Sequence, residues 1–205
     1  MKQDGTYQNN VWIEDLQEKV LNTLLIDKTG TYLLNTQNLL LSNGFCHLNC
    51  TIYLRSFFMN INGLDENFRY EEDRDVYIRA IDQAKVILHN PKIIGNHYIP
   101  DKNKKINTST QLNSLNKYLY QLRTFDKGII FSEKEIIRHY CIKQKSYILK
   151  NISMQMYNDK KLNLSYIYAK EAFSIEGAIS SAFVVCMLIR HTSPRLIKIK
   201  EDKTS

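Results

Sequence analysis

The sequence predicts an α/β fold: a first half that mixes short strands with helices, followed by an α-helical second half. Three observations carry this expectation. Short apolar or β-branched runs bounded by turn residues recur in the first hundred residues. Apolar residues at helical spacing run from about residue 111 to about 190. A polar stretch, PDKNKKINTST from Pro100 to Thr110, stands between the two. The expected divisions are 1–100 for the mixed domain and 101–110 for the linker, then 111–192 for the helical region and 193–205 for a basic polar tail.

Residues 10–26 read as a helix, because Ile13, Leu16, Val20, Leu21 and Leu24 share one face. Asp27-Lys28-Thr29-Gly30 ends it. Thr31–Leu34 and Asn38–Ser42 read as short extended pieces, with Asn43-Gly44 as a turn. Thr51–Leu54 is β-branched and aromatic and predicts a strand. Arg55–Asn60 is long enough for one or two helical turns, and Asn62-Gly63 breaks the chain.

A helix over 71–84 places Val76, Ala80 and Ala84 on one face, with Tyr77 and Ile81 beside it. Val86–Leu88 is short and apolar, His89-Asn90-Pro91 is a turn, and Lys92–Ile99 predicts another strand. Further helices are expected near 111–124, 132–157, 162–173 and 174–190. Ser132 and Glu135 have capping-box spacing for the second of these, and Ser174 with Gly177 marks the junction of the last two.

A chain of 205 residues, 43% hydrophobic and 24% charged, is ordinary for one domain with or without an appendage. The longest apolar run, Ala178–Ile189, contains two serines and falls short of the ~20 residues of a membrane-spanning helix. MKQDGTYQNN at the start has no apolar core of a secretory signal. The expected location is cytoplasmic, or peripheral at the inner membrane.

The four cysteines, Cys46, Cys50, Cys141 and Cys186, make no disulfide framework. Cys46-His47-x-x-Cys50 has a metal-ligand look, but structural zinc needs four ligands and no second pair exists. Buried thiols are the expectation. Residues 1–100 carry 9 Lys/Arg against 12 Asp/Glu, and residues 101–205 carry 19 against 9. The basic half lacks a recognition helix or an aromatic-basic platform, so no nucleic acid is expected.

The most informative stretch is Gly63–Arg79, GLDENFRYEEDRDVYIR. Clustered carboxylates repel unless a cation, a metal or a shared proton offsets them. One reading is structural: Asp75 and Arg79 are i,i+4 neighbours, and acidic residues suit a helix N-terminus. The other is a functional site, and residue order favours it. Asn62-Gly63-Leu64-Asp65-Glu66 followed by Glu72-Asp73-Arg74-Asp75-Val76-Tyr77-Ile78-Arg79 resembles a two-part signature of family 2 glycosyltransferases of the GT-A fold. There a G-G-F-D-E turn precedes an E-D-x-D-hydrophobic-x-hydrophobic-R helix. The chain departs from the first part at Asn62 and Leu64. The resemblance covers roughly residues 10–100.

The resemblance implies a partial GT-A mixed sheet and inverting transfer of a sugar from a nucleotide-diphospho-sugar to a hydroxyl acceptor. A hydroxyl is a weak nucleophile, so a carboxylate must take its proton during attack. Asp73 matches that base, with Glu72 supporting it. Asp65 and Arg79 match substrate-binding positions. His97 matches a histidine that binds metal in some relatives, with Mn²⁺ or Mg²⁺ meeting the diphosphate charge.

A complete GT-A domain also has a Rossmann-like donor-binding half ending in a metal-binding D-x-D. Neither is visible. Asp73-Arg74-Asp75 has the letters, but no apolar strand precedes it. The expectation is an acceptor-side half that is weak or inactive alone, with a separate chain as one source of the donor half. The alternative is a non-enzymatic helical scaffold that docks on a partner or an anionic membrane surface.

Overall fold

The computed structural model describes residues 30–34, 36, 48, 51–90 and 112–176. The expected helix at 10–26, the pieces at Asn38–Ser42 and Lys92–Ile99, the linker, His97, Cys46, Cys50 and Cys186 lie outside them. Most of the expected helix at 174–190 does too. The described residues are mainly helical with a small antiparallel sheet, a mixed α/β composition. They belong to two compact units, one from Met1–Asn113 with Lys127–Tyr140, the other from Ser114–Asp126 with Cys141–Ser205.

In the first unit, β1 (Tyr32–Leu34) pairs antiparallel with β2 (Ile87–His89), setting Tyr32 opposite His89 and Leu34 opposite Ile87. β1 falls where a short extended piece was expected; β2 overlaps the short apolar run Val86–Leu88 and takes in His89, which was expected in a turn but pairs with Tyr32. Thr51–Leu54 does not form a strand. Its residues lie outside the sheet and lead directly into α1 (Arg55–Asn60). β-propensity expresses itself only where a neighbouring strand and a buried face exist, and here Ile52 is 93% exposed.

Two consecutive left-handed residues, Asn62 at φ 62° and Gly63 at φ 51°, terminate α1. Asn and Gly tolerate this region best. A side chain at Gly63 would also meet the Phe58 ring at 3.3 Å. The chain then enters α2 (Glu72–Gln83). Ile61, Val76 and Ala80 form the buried core between these elements, with Tyr53, Phe57 and Phe58 packed against them. Tyr77 and Ile81 are buried as expected, whereas Ala84 is the half-buried, extended C-cap.

The remaining helices are α3 (Ser114–Phe131), α4 (Glu135–Asn158) and α5 (Leu162–Glu176). Ser132 is not the N-cap of α4. The Lys134 carbonyl accepts the first helical bond, from Arg138. Asp82 of α2 instead receives the Glu133 and Lys134 amides, both at 2.9 Å. The expected break at Ser174 is absent, because α5 runs on to Glu176 and the Ser174 hydroxyl bonds back to the Glu171 carbonyl.

In the second unit, Leu149, Ala169 and Ala172 form a core joined by Leu122, Met154, Tyr157, Tyr168 and Phe173. Ser153 and Ser165, both fully buried, exchange hydroxyl-to-carbonyl bonds of 2.9 and 2.8 Å between α4 and α5. Buried hydroxyls need such partners. Small residues here let the helices approach closely. Cys141 is a buried thiol, as expected. Among the described residues, no helix is long and apolar enough to cross a membrane.

Candidate functional site

The candidate site is built on the Ile61–Gly63 turn and the start of α2. Glu71 precedes the helix at φ 71° and ψ 12°. This left-handed conformation costs a non-glycine residue ~1–2 kcal/mol, and it turns the chain sharply into the helix. The Glu71 carboxylate is buried and lies 3.1 Å from Arg74 Nε. Burial, and then the Glu71 charge, push the Tyr70 hydroxyl above its usual range.

Asp75 is the centre of the charge network. It is 2% exposed and lies one turn into α2. Arg79, four residues on, donates to Asp75 Oδ2 from Nε at 3.0 Å and from Nη2 at 2.6 Å. The same guanidinium donates to the Ile61 carbonyl and, at 2.7 Å, to the Gly63 carbonyl. Arg79 therefore locks the turn onto the helix, a role that suits its planar five-donor fork.

The second cation is Lys127 of α3. Its ammonium lies 2.7 Å from Asp75 Oδ1 and 3.0 Å from Asp65 Oδ2, and 5.0 Å from the centre of the Phe68 ring. Asp65 Oδ1 accepts from the Asn67 backbone and side-chain amides, each at 3.0 Å. The Lys127 hydrogen bond, and then the Asn67 backbone bond, lower the Asp65 carboxyl to about 2. Asp65 is thus a fixed anion across the ordinary pH range, fit to accept a hydrogen bond and too acidic to serve as a base.

Glu72 and Asp73 occupy the first turn of α2, both half-buried. Asp73 Oδ1 accepts from the Arg74 amide at 2.8 Å. The structure thus brings Asp65 and Arg79 into one network through Asp75 and sets Glu72 and Asp73 at the helix start beside it. His97 lies outside the described residues. Among the described residues, no group of three or more His, Cys, Asp or Glu side chains is arranged to hold a metal. Asp65 and Asp75 face two cations, which opposes a divalent ion between them.

The i,i+4 spacing revealed the Asp75–Arg79 pair. It gave no sign of Lys127, which is 62 residues from Asp65. No protein-family model matches the chain, and no curated protein or solved structure shows significant similarity to it.

Proposed function

We propose that Gly63–Arg79 forms the acceptor side of an inverting glycosyltransferase site of the GT-A type. Asp73 takes the proton of an acceptor hydroxyl as that oxygen attacks the anomeric carbon of a nucleotide-diphospho-sugar. The bond to the diphosphate breaks in the same step. Glu72 stands beside the base, and Asp65 accepts a hydrogen bond from the substrate.

The observation that carries this reading is the Arg79 clamp. It joins the two parts of the signature, 16 residues apart at Gly63 and Arg79, into one unit. Asp75 and Arg79 satisfy each other, which leaves the half-buried Glu72 and Asp73 for chemistry. The donor-binding half belongs to another segment or chain, and so does most of the Mn²⁺ or Mg²⁺ coordination, with His97 as the contribution from this chain.

Calorimetry of the purified chain with UDP- and GDP-sugars in Mn²⁺ tests the reading. Heat that Asp73→Asn or His97→Ala removes supports it, and heat that neither substitution changes overturns it. Donor hydrolysis by the chain alone stays near background, and once a donor-binding half is supplied Asp73→Asn lowers transfer ~10²–10⁴-fold. Robust transfer by the chain alone overturns the division into halves.

A second reading rests on α5, where exposed Leu162, Tyr166 and Ile167 lie near exposed Lys161 and Lys170. Such a face suits a scaffold that docks on an anionic membrane surface. Flotation with phosphatidylserine vesicles, lost in neutral vesicles, supports this reading; no flotation with either overturns it.

A further inference from the structure

We infer that Lys127 is a positioning residue of the turn–helix site: its ammonium fixes the Asp65 carboxylate of the turn against the buried Asp75 of α2. The inference rests on the reading of this turn and helix as a substrate site. It adds a residue from the helical region to that site and defines what Asp65 accepts.

An ammonium has three protons and no acceptor. Lys127 directs them toward Asp75 Oδ1 at 2.7 Å, Asp65 Oδ2 at 3.0 Å and the face of Phe68. Asp75 is anchored by Arg79 through two hydrogen bonds, so it is a rigid post. Lys127 transmits that rigidity to Asp65, ten residues earlier in the chain. Phe68 is buried and packs beneath the ammonium, which limits its swing.

An ionised carboxylate offers about four lone-pair directions. Asn67 takes two and Lys127 one. The capacity that remains suits one hydrogen bond from a neutral donor, such as a sugar hydroxyl. A second cation is disfavoured, because Lys127 already neutralises the charge. Asp65 thus favours a hydroxyl donor over an amine.

The test is a ¹³C NMR titration of the Asp65 carboxyl in the full chain without ligand. The wild-type midpoint is expected near 2, in Lys127→Met it moves toward 3.8, and in Lys127→Arg it stays low. The Arg79 Nε–H resonance is expected to keep its position in Lys127→Met, which shows the turn still clamped to α2. A role as mere packing predicts an unmoved Asp65 midpoint in the folded Lys127→Met chain, and that result overturns the inference. A wild-type midpoint at 3.8 overturns it as well, even where Lys127→Met fails to fold. Nucleotide-sugar heat that Asp73→Asn and His97→Ala leave unchanged, together with a low Asp65 midpoint, counts against the glycosyltransferase reading alone.

Discussion

Asp82 and Lys134 cap each other's helices. The Asp82 carboxylate, near the end of α2, accepts the Glu133 and Lys134 amides at the entry to α4, each at 2.9 Å. The Lys134 ammonium donates back to the Ile81 carbonyl at 2.7 Å, in the last turn of α2. Those amides and carbonyls are the groups that a helix end leaves without an intrahelical partner. An anion at an N-terminus and a cation at a C-terminus also suit both helix dipoles.

Removing this pair is the first prediction. Asp82→Ala leaves two amides without their acceptor and is expected to cost about 2 kcal/mol. Lys134→Met is expected to cost about 1 kcal/mol. The double variant costs less than both together, since each side chain supports the loop that the other grips. Urea midpoints at constant slope measure all three. A loss below about 0.5 kcal/mol for Asp82→Ala would show that water replaces the cap.

Arg79→Lys separates charge from geometry. Lysine keeps one positive charge near Asp75 but cannot also reach the Ile61 and Gly63 carbonyls. The expected loss is ~1–2 kcal/mol, and Arg79→Ala loses ~3 kcal/mol because the buried Asp75 keeps only Lys127. Amide exchange localises the effect. The Gly63 turn speeds up in Arg79→Lys while Ala169 and Ala172 keep their protection. Unchanged protection at the Gly63 turn in Arg79→Lys would show that the guanidinium acts through charge alone.

These examples mark what the sequence made legible. Helical spacing placed α2 and the long helices, and it paired Asp75 with Arg79, because such signals lie within a few residues. Lys127 and Asp82 were invisible because their partners lie 62 and about 51 residues away, and no local pattern encodes such a meeting. Ser132 shows the reverse failure. Its spacing to Glu135 satisfied a local rule, but a buried carboxylate from another helix already supplied the cap. Thr51–Leu54 had the composition of a strand, yet it stays outside the sheet and leads into α1, with Ile52 exposed.

Lys160 offers a stabilising substitution. It sits at φ 60°, just past the end of α4. Its amide bonds to the Tyr157 carbonyl at 3.0 Å, and the Lys161 amide bonds to the Met156 carbonyl at 2.8 Å. These two bonds form a Schellman motif, whose left-handed position favours glycine. Lys160→Gly is expected to stabilise the chain by about 1 kcal/mol, read as a rise of a few degrees in Tm. An unchanged or lower Tm would mean that the lysine side chain makes a compensating contact.

Acid stability tests the Asp65 network. Its folded-state carboxyl titrates at about 2, against an ordinary value of 3.8. The folded state therefore favours the ionised form. The resulting stabilisation is fully present above pH 3.8 and is lost as pH falls through about 2. A shift of this size corresponds to about 2 kcal/mol at most, and solvent screening of a side chain that is 22% exposed brings it nearer 1 kcal/mol. Other carboxylates titrate in the same window, so the informative quantity is the difference between wild type and Asp65→Asn. That difference should shrink steadily from pH 4 to pH 2, because the asparagine carries no charge to lose. Lys127→Met should flatten the wild-type curve in the same window, since the hydrogen bond from Lys127 is the largest cause of the shift. A difference curve that stays level through this range would mean that Asp65 has the same affinity for its proton in the folded and unfolded chain.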